Sequence, residues 1–213
     1  MNETSDQHPA SAAIVDLYER HAASYDVDRG RALFERGWLE RFRAEMAPDD
    51  SVLDLGCGSG EPIARYLIEH GHEVTGVDSA PSLIRICAER FPERTWIVAD
   101  MRRLDLGVPF GGILAWDSFF HLTAEDQRAM FAVFRAHAAP GAPLMFTSGP
   151  AHGEAIGSYC GEPLYHASLD AEEYAALLHA HGFEIVAHAV EDATCGGHTV
   201  WLARQGHQCN TQT

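Results

Sequence analysis

The chain has 213 residues, 46% of them hydrophobic, which is within the size range of a single α/β domain spanning residues 1–213 with a substantial core. Its formal net charge of −16 disfavours nucleic acid or an anionic membrane surface as a partner, so a small neutral or cationic molecule is expected. No apolar run is long enough for a transmembrane helix, and the polar N-terminus lacks a secretory pattern, which predicts a cytoplasmic protein. The five cysteines, of which Cys209 is the last, are odd in number and widely spaced, so neither a disulfide framework nor a structural zinc site is expected. The oligomeric state stays open.

The predicted elements alternate along the chain. Residues from about 11 to 46 have helical periodicity, interrupted near 26–30, and residues 1–48 are expected to form a helical lid. Strands are predicted near 51–55, 73–77, 95–99, 111–116, 143–148, 184–190 and 198–203, and helices near 61–69, 80–90, 124–136 and 171–181. Alternating strands and helices predict a parallel sheet, and the direct link between the last two strands predicts a hairpin with one antiparallel strand. The expected fold is therefore α/β, Rossmann-like, with a seven-stranded mostly parallel sheet, a C-terminal antiparallel hairpin, helices on both faces and an N-terminal helical lid.

Glycine occupies every second position directly after the first predicted strand, in the stretch V-L-D-L-G-C-G-S-G-E-P. Gly56, Gly58 and Gly60 leave the backbone bare and permit positive φ, which suits close approach of a nucleoside-bearing ligand. A dinucleotide fingerprint requires G-x-G-x-x-G, whereas here the third glycine comes one residue early and Glu61 and Pro62 follow. The spacing therefore disfavours a pyrophosphate ligand.

Acidic residues recur at the ends of successive predicted strands. Asp78 ends the second strand, about 20 residues beyond the glycines, and Asp100 ends the third. Both are expected at the sheet edge where doubly wound folds bind their ligands. Two alternatives stay open, since Asp78 could cap the helix that begins near Pro81 and Asp100 could be a turn residue.

The pattern D-x-G-x-G-x-G, together with these strand-end acids, resembles the cofactor loop of class I S-adenosylmethionine (SAM) methyltransferases of the small-molecule branch. The resemblance implies SAM as the cofactor, with Asp78 holding the ribose hydroxyls, Asp100 near the adenine, and Tyr25 of the lid donating to the methionine carboxylate. The cofactor contacts it implies are Tyr25, Asp54, Gly56, Cys57, Gly58, Gly60, Asp78, Ser79, Asp100, Met101 and Trp116.

The acceptor is expected to bind between the lid and an insert at 149–168, which leaves the carboxyl end of a strand and is rich in histidine, glutamate, tyrosine and glycine. His121 is the candidate general base, because its ordinary pKa is near neutrality, and Tyr25 is the second candidate catalytic residue. The expected substrate contacts are Tyr18, Phe119, His121, His152, Tyr159 and His166. Alternatives stay open: His121 could be a hydrogen-bonded residue near the next helix, and the insert a solvated loop. Tyr18 could equally pack on the domain, and Trp116 and Phe119 could belong to the core.

A metal site is considered at His152, Glu154, His166 and His198, but 13 histidines make chance pairs common and no metal is expected. The sequence therefore predicts a SAM-dependent transferase that methylates an oxygen or nitrogen of a small molecule and releases S-adenosylhomocysteine. A methyltransferase of protein side chains, or a SAM-binding accessory protein without its own catalysis, is the alternative.

Overall fold

A computed structural model describes residues 9–206 of the chain. Its strands are β1 (Val52–Leu55), β2 (Val74–Asp78), β3 (Thr95–Val98), β4 (Gly112–Ala115), β5 (Pro143–Ser148), β6 (Gly153–Tyr159), β7 (Glu162–Ser168), β8 (Phe183–Asp192) and β9 (His198–Gln205). Its α-helices are α1 (Pro9–Ala12), α2 (Ile14–Arg20), α3 (Ala22–Asp28), α4 (Arg36–Ala44), α5 (Ile63–Glu69), α6 (Pro81–Arg90), α7 (Ala124–His137) and α8 (Ala171–Ala180). Within the described residues, no helix is both long and apolar enough to cross a bilayer. Residues 1–8 of the predicted lid and Cys209 lie outside the described range.

Seven strands form one sheet in the order β3-β2-β1-β4-β5-β9-β8. Strands β1 to β5 are parallel, and β9 is antiparallel to both β5 and β8. The predicted fold, including the C-terminal hairpin, is therefore confirmed. The parallel register aligns the carboxyl ends of β1, β2, β3 and β4, so the residues that follow these strands meet at one edge of the sheet.

The sheet is covered on both faces because its central strands are apolar on both sides. Leu53 and Leu55 of β1 belong to a buried cluster with residues of α7 and α8, including Phe131 and Tyr174. Val52, one residue away and therefore on the opposite face, belongs to a second cluster with residues of α4 and α5. The strands of a parallel sheet with both faces buried have near-continuous hydrophobic sequences, as β1 has.

The segment predicted as a loop at 149–168 is instead a β-hairpin made of β6 and β7. Cys160 and Gly161, with φ of +50° and +80°, make its turn. The side chains of β6 are mostly exposed, while Tyr165 and Ala167 of β7 are buried and pack against Ala10 of α1. The hairpin escapes sequence prediction because its outer strand has no apolar periodicity.

The helices of the lid are interrupted where predicted, near 26–30, because α3 ends at Asp28 and α4 begins only at Arg36. The connection to α4 holds a buried ion pair between Arg29 and Glu35, and the Glu35 side chain has no exposed surface. A buried carboxylate needs a partner, and this pair links the end of α3 to the start of α4.

Candidate active site

A cavity of about 280 Å³ opens at the carboxyl edge of β1, β2, β3 and β4, beneath α1 to α3. It is lined by residues from the turns after all four strands, from the lid and from the start of α7. Nine of the residues predicted for the site line it: Tyr18, Tyr25, Gly56, Gly58, Asp78, Ser79, Asp100, Met101 and His121. Twelve further lining residues were not predicted from the sequence: Ser11, Ala12, Ile14, Val15, Ala80, Leu83, Arg102, Asp117, Ser118, Leu122, Thr123 and Asp126.

The turn after β1 depends on the absence of side chains at Gly56 and Gly58. Gly56 has φ +75°, and a Cβ there would lie 2.2 Å from the Cβ of Ser118. Gly58 has φ +56°, and a Cβ there would lie 2.9 Å from Cε1 of Tyr25. Both glycines border the cavity, so their bare backbone forms part of its wall.

Asp78 links the turn after β1 to the start of α6. Its two carboxylate oxygens accept hydrogen bonds from the backbone N–H groups of Gly58 (3.0 Å) and Ala80 (2.9 Å). Burial raises the pKa of Asp78 to about 6, although these N–H groups oppose the shift. A carboxylate oxygen accepts more than one hydrogen bond, so Asp78 retains capacity toward ligand hydroxyls.

Asp54 lies in β1 behind the glycine turn and is buried without lining the cavity. Burial, with repulsion from Asp78, raises the pKa of Asp54 to about 7, and Arg29 partly opposes this. Asp54 therefore contributes a titratable carboxyl beneath the site.

Asp100 caps a single turn of 3₁₀ helix that follows β3, and its carboxylate is paired with Arg102. Its carboxylate accepts from the backbone N–H of Arg102 (3.0 Å) and forms an ion pair with the Arg102 guanidinium (2.7 Å). The same guanidinium pairs with Asp126 at the start of α7 (2.9 Å). Burial would raise the pKa of Asp100, but Arg102 outweighs it and holds the pKa below its usual range. These three residues form one side of the cavity.

The lid is fixed to α6 by two polar contacts. Glu19 accepts hydrogen bonds from the backbone N–H and the hydroxyl of Ser82, at 2.8 and 2.7 Å. Asp26 accepts two hydrogen bonds from Arg90, at 2.9 and 2.8 Å. The intervening Tyr25 is thereby held over the glycine turn, and burial raises its pKa above the usual range.

The β6–β7 hairpin clamps the other side of the lid. Glu162 pairs with Arg20 (2.5 Å) and with Nε2 of His21 (2.7 Å). The hydroxyl of Tyr159 donates to Asp28 (3.0 Å), and its ring stacks on Tyr18 with centroids 6.2 Å apart. Tyr159 therefore supports the lid from outside and does not line the cavity.

His121 is buried beneath the lid. Its Nε2 lies 2.9 Å from the hydroxyl oxygen of Tyr18, and its Nδ1 lies 2.8 Å from the carbonyl oxygen of Tyr165. The His166 ring stacks on it at 4.9 Å but does not line the cavity. Burial lowers the pKa of His121 to about 4, so its imidazole is neutral at physiological pH.

Asp117 is a cavity residue that a strand-end argument could have found, since it lies at the carboxyl end of β4 as Asp78 and Asp100 lie at the ends of β2 and β3. Its φ is +49°, an uncommon conformation that aspartate tolerates better than most residues. Its Oδ1 lies 2.9 Å from Nε2 of His198, whose Nδ1 lies 2.8 Å from the carbonyl oxygen of Cys195. A histidine that donates from both nitrogens is an imidazolium, and the hydrogen bond from His198 to Asp117 raises the His198 pKa.

Several predicted site residues lie away from the cavity. Phe119 has no exposed surface and packs against Phe131 and Phe146, because its side chain points into the core that α7 covers. Trp116 stacks on His198 on the opposite face. The cavity lining excludes these two and also Asp54, Cys57, Gly60, His152, Tyr159 and His166.

Each of the remaining exclusions has a local reason. Gly60 faces Phe91 and Cys87, so its space is filled by protein. The Cys57 side chain is buried with Cys87 and Ile84. His152 is exposed in the turn before β6. Within residues 9–206, no group of three metal-ligating side chains converges, and Glu154 instead accepts a hydrogen bond from Tyr165.

Comparison with known proteins adds three findings. Residues 52–141 match the family described as "Methyltransferase domain". The chain is 28% identical over 148 residues to dTDP-4-amino-2,3,4,6-tetradeoxy-D-glucose N,N-dimethyltransferase of Saccharopolyspora spinosa. The aligned region covers 66% of this chain and 58% of that protein. It is 26% identical over 139 residues to malonyl-[acyl-carrier protein] O-methyltransferase of Serratia marcescens, covering 64% of this chain and 52% of that protein. The chain therefore spans little more than half the length of these curated relatives.

Solved structures share the fold. The 1,6-didemethyltoxoflavin-N1-methyltransferase of Burkholderia thailandensis superimposes with a TM-score of 0.71 at 24% identity, covering 92% of this chain and 88% of that one. An S-adenosylmethionine-dependent methyltransferase of Clostridium acetobutylicum superimposes with a TM-score of 0.70 at 15% identity, covering 89% and 99%. The fold of this chain is that of class I methyltransferases.

Proposed function

We propose that this chain, whose residues 52–141 form a methyltransferase domain, is a SAM-dependent methyltransferase that acts on a nitrogen or oxygen of a small molecule. The observation that carries the proposal is the cavity at the carboxyl edge of the sheet. There, a bare glycine turn and the carboxylates of Asp78 and Asp100 lie at the ends of successive strands, beneath a tyrosine-bearing lid.

The cavity residues fit SAM in chemistry as well as in position. Gly56 and Gly58 present backbone without Cβ atoms, as the methionine portion requires. Asp78 is a desolvated carboxylate suited to vicinal ribose hydroxyls, since charge-assisted hydrogen bonds are stronger than neutral ones. Met101 and Leu83 supply apolar surface for a base, next to Ser79 and Asp100.

SAM, when bound, supplies a methyl group already activated on a sulfonium sulfur. The work left to the protein is to hold the acceptor in line with that methyl group and to keep water out. Tyr25 covers the glycine turn, and the lid is tied both to α6 and to the β6–β7 hairpin. Tyr18 and His121 line the cavity beneath the lid, where the acceptor is proposed to bind.

The charges favour a neutral or cationic acceptor. Four aspartates, Asp78, Asp100, Asp117 and Asp126, line the cavity together with one arginine, Arg102, and the chain carries −16 overall. The similarity to an amino-sugar N,N-dimethyltransferase makes an amine the first acceptor to test.

Calorimetric titration with SAM, followed by incubation with methyl-labelled SAM, tests the proposal. The acceptors are glucosamine, phenol and 4-nitrophenol, and S-adenosylhomocysteine is quantified by mass spectrometry. We expect one SAM site per chain and product with at least one acceptor. Absence of SAM binding would contradict the proposal, whereas tight binding without product from any acceptor would favour an accessory role.

A further inference from the structure

The hydrogen bonds of His121 fix the position of its proton. The carbonyl oxygen of Tyr165, 2.8 Å from Nδ1, can only accept a hydrogen bond, so Nδ1 carries the hydrogen. In the neutral imidazole Nε2 is then a lone pair, and the Tyr18 hydroxyl 2.9 Å away donates to it. In this hydrogen bond Tyr18 is therefore the donor and His121 the acceptor.

The same contacts cover the basic nitrogen. The His121 residue is 7% exposed, its ring is stacked on His166, and Tyr18 occupies the one nitrogen lone pair. Tyr18 also lines the cavity, and its oxygen keeps lone pairs after donating its own proton. Although His121 lines the cavity, the Tyr18 hydroxyl occupies its Nε2 lone pair, so an acceptor reaches that nitrogen only through the phenol.

We propose that Tyr18 is a catalytic residue that receives the acceptor's proton, and that His121 takes up the proton of Tyr18. This inference rests on the proposed function. As the acceptor heteroatom bonds to the methyl carbon and the carbon–sulfur bond breaks, the heteroatom proton passes to Oη of Tyr18. The original Tyr18 proton passes to Nε2 of His121, which becomes an imidazolium while Nδ1–H remains on the Tyr165 carbonyl. No other reactant is needed, because the positive charge lost from sulfur appears on the imidazole.

Tyr18 and His121 are both neutral before the proposed proton transfer. Burial lowers the pKa of His121 to about 4 and raises the pKa of Tyr18 above its usual range, so neither is charged at rest. The pKa of His121 is influenced by the nearby charges of Asp117 and His166. The pKa of Tyr18 is influenced by Tyr25, Asp117, Asp78 and Tyr159. Burial and His166 disfavour the imidazolium that the relay forms, whereas the hydrogen bond to the Tyr165 carbonyl and the Asp117 carboxylate favour it.

The first test needs no acceptor. ¹⁵N NMR of histidine-labelled, SAM-saturated protein should show His121 protonated at Nδ1 and unprotonated at Nε2 near neutral pH. The Nε2 resonance should move in Tyr18→Phe, which removes the donor. It should stay in place in Tyr66→Phe, a matched loss of a tyrosine hydroxyl from a buried residue of α5, where it accepts a hydrogen bond from Arg43 of α4. A proton on Nε2, or an unmoved resonance in Tyr18→Phe, would overturn the proposal.

The second test compares two acceptors at about pH 8.5, namely phenol, which keeps its proton, and 4-nitrophenol, which has lost it. Tyr18→Phe should lower kcat for phenol about 100-fold or more, the usual contribution of a general base, and should spare 4-nitrophenol. His121→Gln should do the same, because the glutamine oxygen can accept from Tyr18 but cannot hold the proton. A merely anchoring His121 would be rescued by this variant.

The outcomes separate the relay from the proposed function. Normal SAM binding with unchanged phenol turnover in Tyr18→Phe would overturn the relay alone, as would a wild type that methylates only 4-nitrophenol. Loss of SAM binding in the wild type would instead refute the proposed function. Equal losses with both phenols would indicate a structural role for Tyr18 and also overturn the relay.

Discussion

Replacement of Gly58 by alanine perturbs the proposed cofactor turn with a single methyl group. The left-handed backbone at φ +56° costs an L-residue about 1–2 kcal/mol. The new Cβ would also lie 2.9 Å from Cε1 of Tyr25. Carbon atoms pack best at about 3.5–4.0 Å, so the Tyr25 ring must move by roughly 0.6 Å or more.

The Tyr25 ring cannot move by this distance without disturbing its own contacts. Its ring meets Tyr18 edge-on, with centroids 5.3 Å apart, and the next residue, Asp26, is tied to Arg90. We therefore expect Gly58→Ala to weaken SAM binding at least about tenfold, equivalent to about 1.4 kcal/mol, measured by titration calorimetry.

Gly107→Ala is the matched control. Gly107 has φ +67°, but nothing lies within 4 Å of the position of its Cβ and it is outside the cavity. Urea unfolding should show that both variants lose about 1–2 kcal/mol of stability, while only Gly58→Ala loses SAM affinity. Unchanged affinity in Gly58→Ala, or equal losses in both variants, would refute the reasoning.

Three further predictions follow from the charged groups. Asp78→Asn should weaken SAM binding by about 1.5–3 kcal/mol, the range for a hydrogen bond to a charged group, and calorimetry that shows no loss would contradict the ribose role. The pKa of Asp54 is raised from 3.8 to about 7 in the folded state, so the folded protein binds this proton more tightly than the unfolded chain. The stability of the wild type relative to Asp54→Asn should therefore be greatest below about pH 3.8 and decline as pH rises through about 7, whereas denaturant curves that show the opposite slope would refute the shift. Glu162→Gln removes the charge that holds Arg20 and His21, so hydrogen exchange should accelerate in residues 14–28, and unchanged exchange would show that the β6–β7 hairpin does not clamp the lid.

The part of the cavity at the carboxyl ends of β1 and β2 could be predicted from the sequence, because hydrophobic runs, glycines and a strand-end aspartate occur close together there. Hydrophobic runs locate β1 and β2, and the parallel register then carries Asp78 to the edge where the glycines turn. The same logic applied to β4 places Asp117 at this edge as well.

The part of the cavity around Tyr18 and His121 could not be predicted, because it depends on packing between segments that are distant in the sequence. The sequence offers His121 as a candidate general base or as a hydrogen-bonded histidine, but it does not identify the partners, Tyr18 and the Tyr165 carbonyl, which lie 103 and 44 residues away. Phe119 was expected in the cavity, yet two residues before His121 the chain points to the opposite side, into the core. The β6–β7 hairpin was expected as a loop, because glycine and polar residues on an exposed strand give no periodic pattern.

A crystal structure of the chain with S-adenosylhomocysteine tests the central claim most directly. The account predicts the ligand beneath Tyr25, with its methionine portion on the backbone of Gly56 and Gly58 and its ribose hydroxyls on Asp78. A ligand bound elsewhere on the chain, or a ribose held by groups other than Asp78 with the glycine turn untouched, would contradict it.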